Sequence, residues 1–491
     1  MDSLKKRYFI KLAASSCNAM INVLLLMFLP RALGPAAYGD FNFIRNSFQN
    51  VISLSDLNLG NAHVNYAARK EKSQMATNVY FTYTLLVGVF TLLFLSIIAI
   101  SGLGQHLFPG QNLDYLFLGA LMVYLMYLFN ALMGLSDSKG VTFGFELINI
   151  AVSVVLFGIL FLLYIAEELN LTTLFEQRIA LYASLMGFCT LFLYRKINFR
   201  PRVVNFSARE SRTVFLEFFT FAHPLITLAL VGIFFGFFDR WFLQFIYGSV
   251  SQGFFSLAFS LSAIAGLFLA PMTPLLMQSV AKADEEKDIE GVRNAFEKVK
   301  ILYLVGAFLS IFFMFHAAEI ISLVGDDYSG AKMTVLVMFV YPIHVVYGQF
   351  CGGVLIALRK TRLYRNIALT SSIIGIVITY VLLAPKTFFL PGLELDALGL
   401  ALKLVIVQFF SVTIQLYFVC KTVNLKLSSF LLSQIIIPIP VIILGVIDLW
   451  IRNYAEVSFY GNFANIVSLT VSMFLWSLVM ATIIWYFPKL F

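Results

Sequence analysis

The chain has 491 residues, of which 60% are hydrophobic and 12% charged, whereas an ordinary soluble domain carries about 25% charged residues. That balance excludes a water-soluble domain and makes the bilayer the solvent to reason in. The formal charge of +8 then reports membrane orientation and contact with anionic lipid, not nucleic-acid binding.

Apolar stretches near twenty residues recur along the chain, the length that crosses a hydrocarbon core of roughly 30 Å at about 1.5 Å per residue. They predict an all-α polytopic membrane protein of about 14 transmembrane helices. The spans begin near Phe9, Phe43, Val79, Leu116, Phe143, Ile179, Val214, Gly253, Ile301, Val335, Ile367, Ala397, Phe430 and Phe463. Span one follows KKRYFIK without a small-residue cleavage site and is expected to remain as a helix.

Basic residues alternate between the connecting segments. With the amino terminus inside, inner segments collect about 26 Lys and Arg, the bias that marks cytoplasmic loops. Outer loops keep Arg31, Arg178, Arg240, Lys332, Lys386 and Arg452, while Arg45 and Lys403 fall within spans. An even number of spans follows, with both termini cytoplasmic. The longest inner connections are 195–212 and 281–300; the second mixes both signs at helical spacing and predicts a surface helix leading into span nine. No outer loop exceeds roughly fifteen residues, the size of an ordinary connector, so no extramembrane catalytic domain is expected.

After span one the chain reads RALGPAAYGDF. A shift of 214 residues lays Gly34 on Gly248, Gly39 on Gly253 and Phe41 on Phe255. One copy joins spans one and two and the other joins spans seven and eight, so both have the same orientation. That points to a parallel repeat, two six-helix lobes about an axis along the membrane normal. Two unrelated glycine turns are the alternative. The expected divisions are 1–206, 207–425 and a two-helix extension, 426–491. Glycine permits the positive backbone angles of a tight turn between long helices.

A charge at the membrane centre costs about 3 kcal/mol on insertion scales, so such residues face a cavity or a partner. On span two Asn42, Arg45, Asn46, Gln49, Ser53, Asp56 and Gly60 share one helical face. Arg45 and Asp56 lie about 16 Å apart along it, too far to pair. Arg45 offers a planar fork of donors to a diphosphate or acidic sugar; the alternatives are an ion pair with Glu146 of span five or snorkelling to the helix end. Asn18 and Asn22, with Lys11 and Ser15, form a similar stripe on span one. Glu217, Thr220, His223 and Thr227 do so on span seven beside Pro224, which can bend that helix or serve as a static kink.

Lys403, six residues into span twelve, either meets an anion or snorkels outward. His344, with Tyr341 and Gln349, either bonds sugar hydroxyls or sits as an interfacial residue. Asp56, Glu146, Glu217 and His223 are the candidates for proton coupling; for His223 packing is the plainer reading.

No phosphate loop, HExxH or GxSxG motif occurs. Cys17, Cys189, Cys351 and Cys420 form no CxxC pair and imply neither disulfide framework nor zinc. No catalytic residue, metal or cofactor is therefore expected, and the chain is not expected to be an enzyme.

The strings LPRALGPAAYGDFNF, DRWFLQFIYGSVSQGFFSLAFS, ISLVGDDYSGAKMTVLVM, CGGVLIALRKTRLYRNIAL and LPGLELDALGLALKLVIVQ resemble the polysaccharide and O-antigen flippases of the Wzx type. Their superfamily also holds multidrug exporters and lipid II flippases. The resemblance runs from about Lys5 to Cys420. It implies an inner-membrane protein of bacteria that carries an undecaprenyl-diphosphate-linked oligosaccharide from the cytoplasmic to the periplasmic leaflet. A polysaccharide polymerase and a chain-length regulator would be its partners, besides membrane lipids. By likeness to lipid II flippases, spans thirteen and fourteen, Phe430 to Phe487, would form a groove for the lipid tail. A multidrug exporter would instead bind cationic amphiphiles in an acidic cavity, which Arg45 and Lys403 oppose. A membrane glycosyltransferase or polymerase would need a large outer loop.

Overall fold

The computed structural model of the chain describes residues 4–67, 73–206, 208–267, 280, 289–358, 360–454 and 462–486. Among them the structure is helical, without strands. The α-helices are α1 (Leu4–Asp56), α2 (Leu59–Ala67), α3 (Ser73–Ser101), α4 (Gly104–Leu107), α5 (Leu113–Lys139), α6 (Thr142–Ile165), α7 (Leu171–Ile197), α8 (Arg209–Leu267) and α9 (Ile289–Phe315). They continue as α10 (Ala317–Val324), α11 (Lys332–Met338), α12 (Tyr341–Ala357), α13 (Thr361–Leu383), α14 (Asp396–Val423), α15 (Leu427–Ile436), α16 (Pro438–Tyr454) and α17 (Asn462–Tyr486). A 3-10 turn, Asp326–Ala331, joins α10 to α11.

All the predicted span starts fall inside helices. Nine helices among the described residues are long and apolar enough to cross a membrane, or ten when the bent pair Asp326–Met338 and Tyr341–Ile356 counts as one span. α1 and α8 each run through two predicted spans. The side chains of Lys11, Ser15, Pro224 and Thr227, and residues 281–288 of the expected surface helix, lie outside the described part. From Ile289 onward that segment is continuous with span nine in α9.

Local signals explain the helix ends. Asn112 caps α5 by accepting from the Asp114 amide, and Gly140 closes it in the left-handed conformation. Asn170 and Thr173 form a reciprocal capping box that starts α7, satisfying amides that have no partner within the helix.

Contacts divide the chain into two compact units, 1–253 and 254–491. In unit 1, Val214, Phe218 and Ala222 of α8 pack in one buried cluster with Leu59 and Ala62 of α2 and Ala76 and Val79 of α3, which ties span seven to the first six. A second core gathers Phe129, Phe145, Leu181, Leu185 and Cys189 from α5, α6 and α7. In unit 2 the core surrounds Tyr303, Tyr347, Phe350 and Trp476, bringing α9, α12, α14 and the C-terminal helices together.

Both helix breaks inside α1 and α8 fall on the repeated glycines. Gly34 has φ 71°, ψ 170° and Gly248 has φ 75°, ψ −165°, a region essentially confined to glycine. Gly39 and Gly253 are helical and serve differently. A Cβ on Gly39 would collide with the Ser249 carbonyl oxygen and stand 2.7 Å from the Gly253 nitrogen, while one on Gly253 would collide with the Pro35 carbonyl. Since Ser249 is Pro35 shifted by 214 residues, the two turns seat on each other reciprocally, as in a two-fold interface. Asp40 then accepts hydrogen bonds from Ser249 Oγ and Gln111 Nε2.

Candidate functional site

Unit 1 encloses a polar cavity of about 290 Å³ between α1, α5, α6 and α7, lined among others by Asn18, Asn22, Asn149, Gln177, Arg178 and Tyr182. Asn18 and Asn22 of span one thus face a hollow. Glu146 lies beside it, buried, accepting from Asn149 Nδ2 at 3.2 Å. Gln177 Nε2 donates to the Leu156 carbonyl at 2.8 Å, which fixes the wall of α7 next to Arg178.

Arg45 is exposed on α1, one face away from buried Phe43 and Ile44. Beneath it Asn46 Nδ2 donates to the Asn42 carbonyl, Asn42 Nδ2 to the Tyr38 carbonyl, and Gln49 approaches the Met126 sulfur at 3.8 Å. The charge of Arg45 acts on two further arginines, Arg178 of α7 and Arg240 of α8. Both are half-buried. Arg240 also feels Asp239 and Tyr38. Arg45 thus repels both of the others, and a bound anion relieves such repulsion. The alternation of basic residues assigns Arg178 and Arg240 to outer loops, whereas both lie within helices, α7 and α8. For Arg178 a signal existed, because the Asn170–Thr173 capping box starts α7 eight residues before the expected Ile179.

Asp56 sits where α1 breaks into α2 and is a hub of hydrogen bonds. Tyr127 OH donates to Oδ1 at 2.7 Å, Tyr80 OH at 3.1 Å, and the Gly60 amide donates to Oδ2 at 3.2 Å. The turn itself needs Leu57 and Asn58 at positive φ. Buried His63 stacks on Tyr80 at 4.5 Å.

Glu217 and Thr220 line an open hollow of about 450 Å³ with Tyr66 and Thr213. His223 is exposed, its ring 5.9 Å from that of Phe219. In unit 2, His344 meets the Phe409 ring edge-on at 5.3 Å and lies 6.3 Å from Tyr303, an aromatic packing environment. Lys403 is buried, its side chain against Gly375 of α13. A cluster absent from the sequence reading joins α16 to the α9–α10 turn: Arg452 pairs with Glu319 and, at 3.0 Å, with Asp448, while His316 Nε2 lies 3.4 Å from Asp448. Among the described residues no His, Cys, Asp or Glu group is arranged to hold a metal.

Solved structures with the same architecture are transporters. The fold matches a lipid II flippase MurJ in an inward closed conformation, with TM-score 0.69, 12% identity and 99% of each chain covered. It matches an inward-facing multidrug resistance transporter of the MATE family, in the MOP superfamily, with TM-score 0.60 and 12% identity over 83% of this chain and 99% of that one. A MOP superfamily transporter from Pyrococcus furiosus matches with TM-score 0.55 and 13% identity over 85% and 93% of the chains. No curated relative matches the sequence significantly. The class is therefore a multi-pass membrane protein that shares its fold with these proteins. Residues 4–276 match the family described as "Polysaccharide biosynthesis protein", and the chain belongs to that family.

Proposed function

We propose that the protein is a flippase for an undecaprenyl-diphosphate-linked oligosaccharide, an O-antigen, capsular or exopolysaccharide repeat unit, working by alternating access in the bacterial inner membrane. It moves the molecule from the cytoplasmic to the periplasmic leaflet and breaks no bond, so it is not an enzyme. The observation that carries this reading is Arg45, exposed on α1, whose charge reaches half-buried Arg178 of α7 and half-buried Arg240 of α8. A diphosphate crossing hydrocarbon unaided meets an ion-desolvation barrier of many kcal/mol, and cationic donors offset it. Asn18 and Asn22 beside Arg178, and Gln49 one turn from Arg45, supply donors and acceptors for sugar hydroxyls. Asp56, Glu146, Glu217 and His223 remain the groups for proton coupling, and His344 and Lys403 the second unit's contacts. Flipped product would pass to a polysaccharide polymerase and a chain-length regulator.

The multidrug exporters share the fold and form the second reading. They need an attractive site for cations, which three neighbouring arginines oppose. Flipping of lipid-linked oligosaccharide in proteoliposomes separates the two. Loss of one charge-assisted contact of about 1.5–3 kcal/mol predicts a fall of about ten- to a hundredfold in Arg45→Ala, with a fall also expected in Lys403→Ala. Full activity in both variants overturns the site, and transport of cationic dyes alone favours the exporter.

A further inference from the structure

In unit 2, α13 and α14 leave an open groove of about 550 Å³, within the range of small-molecule sites. From Leu363 to Ile378 it runs about 22 Å along α13 at 1.5 Å per residue, more than the depth of one leaflet. Its floor is solid, because Ile367 belongs to the buried core and Leu363 and Phe418 pack against that core. Its walls change character along their length. Near one end Asn366, Thr370 and Ser371 stand among Leu363, Ile367, Ile414 and Phe418; farther in, the lining along α13 is Ile374 and Ile378, facing Val407 and Phe410 of α14. Ile374 and Phe410 are 50% and 60% exposed, so the apolar end is open to a chain lying along it.

The polar end is also the cationic end. Arg365 donates through Nε and Nη2 to Oδ1 of Asn366, a lining residue. Arg362 lies one turn before Asn366 on the same helix face. Lys360 crosses to α14, donating to Thr422 Oγ1 at 2.9 Å, and exposed Lys421 stands beside Thr422. Neither 359–383 nor 403–430 contains an Asp or Glu. By the distribution of basic residues this end is cytoplasmic.

We propose that the groove seats one anionic glycerophospholipid of the cytoplasmic leaflet. Its phosphate meets Arg362 and Arg365, its ester carbonyls accept from Asn366, Thr370 and Ser371, and one acyl chain lies over Ile374, Ile378, Val407 and Phe410. The polar band between the arginines and the apolar end selects this occupant. A polyprenyl diphosphate carries no acceptor between its phosphates and its hydrocarbon, and would leave those three side chains facing isoprene units.

The test counts lipid retained by the purified full chain in detergent, by native mass spectrometry, after incubation with dioleoyl phosphatidylglycerol, dioleoyl phosphatidylcholine or undecaprenyl diphosphate. One phosphatidylglycerol per chain is expected to persist, in preference to the other two. Occupancy is expected to fall about tenfold in Arg362→Gln/Arg365→Gln, which removes charge-assisted bonds, and equally in Ile374→Trp, which fills the groove at an exposed position. Ile373→Trp, on a neighbouring exposed position outside the groove, controls for folding and is expected to change nothing. Equal retention of phosphatidylcholine, or unchanged occupancy in the arginine variant, removes the anionic head from the proposal. Unchanged occupancy in Ile374→Trp, or an equal loss in Ile373→Trp, removes the seat, and preference for undecaprenyl diphosphate removes the ester lipid.

Discussion

Asp56 shows how a single side chain distinguishes structural from transport roles. Its carboxylate receives Tyr127, Tyr80 and the Gly60 amide, all donors, so it holds the break between α1 and α2 together with acceptor capacity alone. An asparagine keeps one such oxygen and turns an NH₂ toward groups that already donate. Asp56→Asn is expected to lower stability by about 1–3 kcal/mol, the cost of leaving buried donors unmatched, read as an earlier thermal unfolding midpoint in detergent. A variant that unfolds like the unmodified protein but loses proton-dependent flipping would return Asp56 to coupling alone. Spacing placed Asp56 on the polar face of span two. It did not supply Tyr80 and Tyr127, which arrive from α3 and α5 and carry no local pattern that names their partner.

Helices meet at the glycines, and the two glycines of each repeat do different work. Gly34 and Gly248 supply a backbone angle, whereas Gly39 and Gly253 supply an absence of side chain. A Cβ on Gly34 meets nothing within 4 Å, so Gly34→Ala is expected to cost only backbone strain, about 1–3 kcal/mol. Gly39→Ala is expected to push α1 off the Ser249 carbonyl. With the four native cysteines removed and Ser251→Cys, a buried position, as reporter, a charged maleimide should label the Gly39→Ala background several times faster; equal rates would show that the seat does not close this surface. The positive backbone angles at Gly34 and Gly248 were legible in the matched spacing. The division of labour was not, because close approach depends on which carbonyl arrives from α8. Likewise the Arg452, Glu319 and Asp448 ion cluster joins residues far apart in sequence, and no periodicity brings a charge at the end of α16 to the turn after α9.

For the whole molecule, hydropathy carried most of the fold, since lipid forces each apolar stretch into a helix, while the direction that the basic loops imply is a matter for labelling. Cysteines placed singly in 198–206 and at Gln111 are expected to react with an impermeant thiol reagent from opposite sides of the membrane, the first only after the cytoplasmic side is opened; labelling of both from one side would break the orientation. What composition could not supply was convergence: Arg45, Arg178 and Arg240 come from three helices and read as one internal and two peripheral charges until the chain is folded. The reciprocal seat at Gly39 and Gly253 has a mechanical consequence of its own. Main chain rests on main chain at the glycines themselves, which have no side-chain entropy to regain on parting, so the side-chain bond across the seam that must be remade is that of Ser249 to Asp40. Such a joint behaves like a bearing with a single latch, able to separate and re-form many times with few side chains having to find their place again.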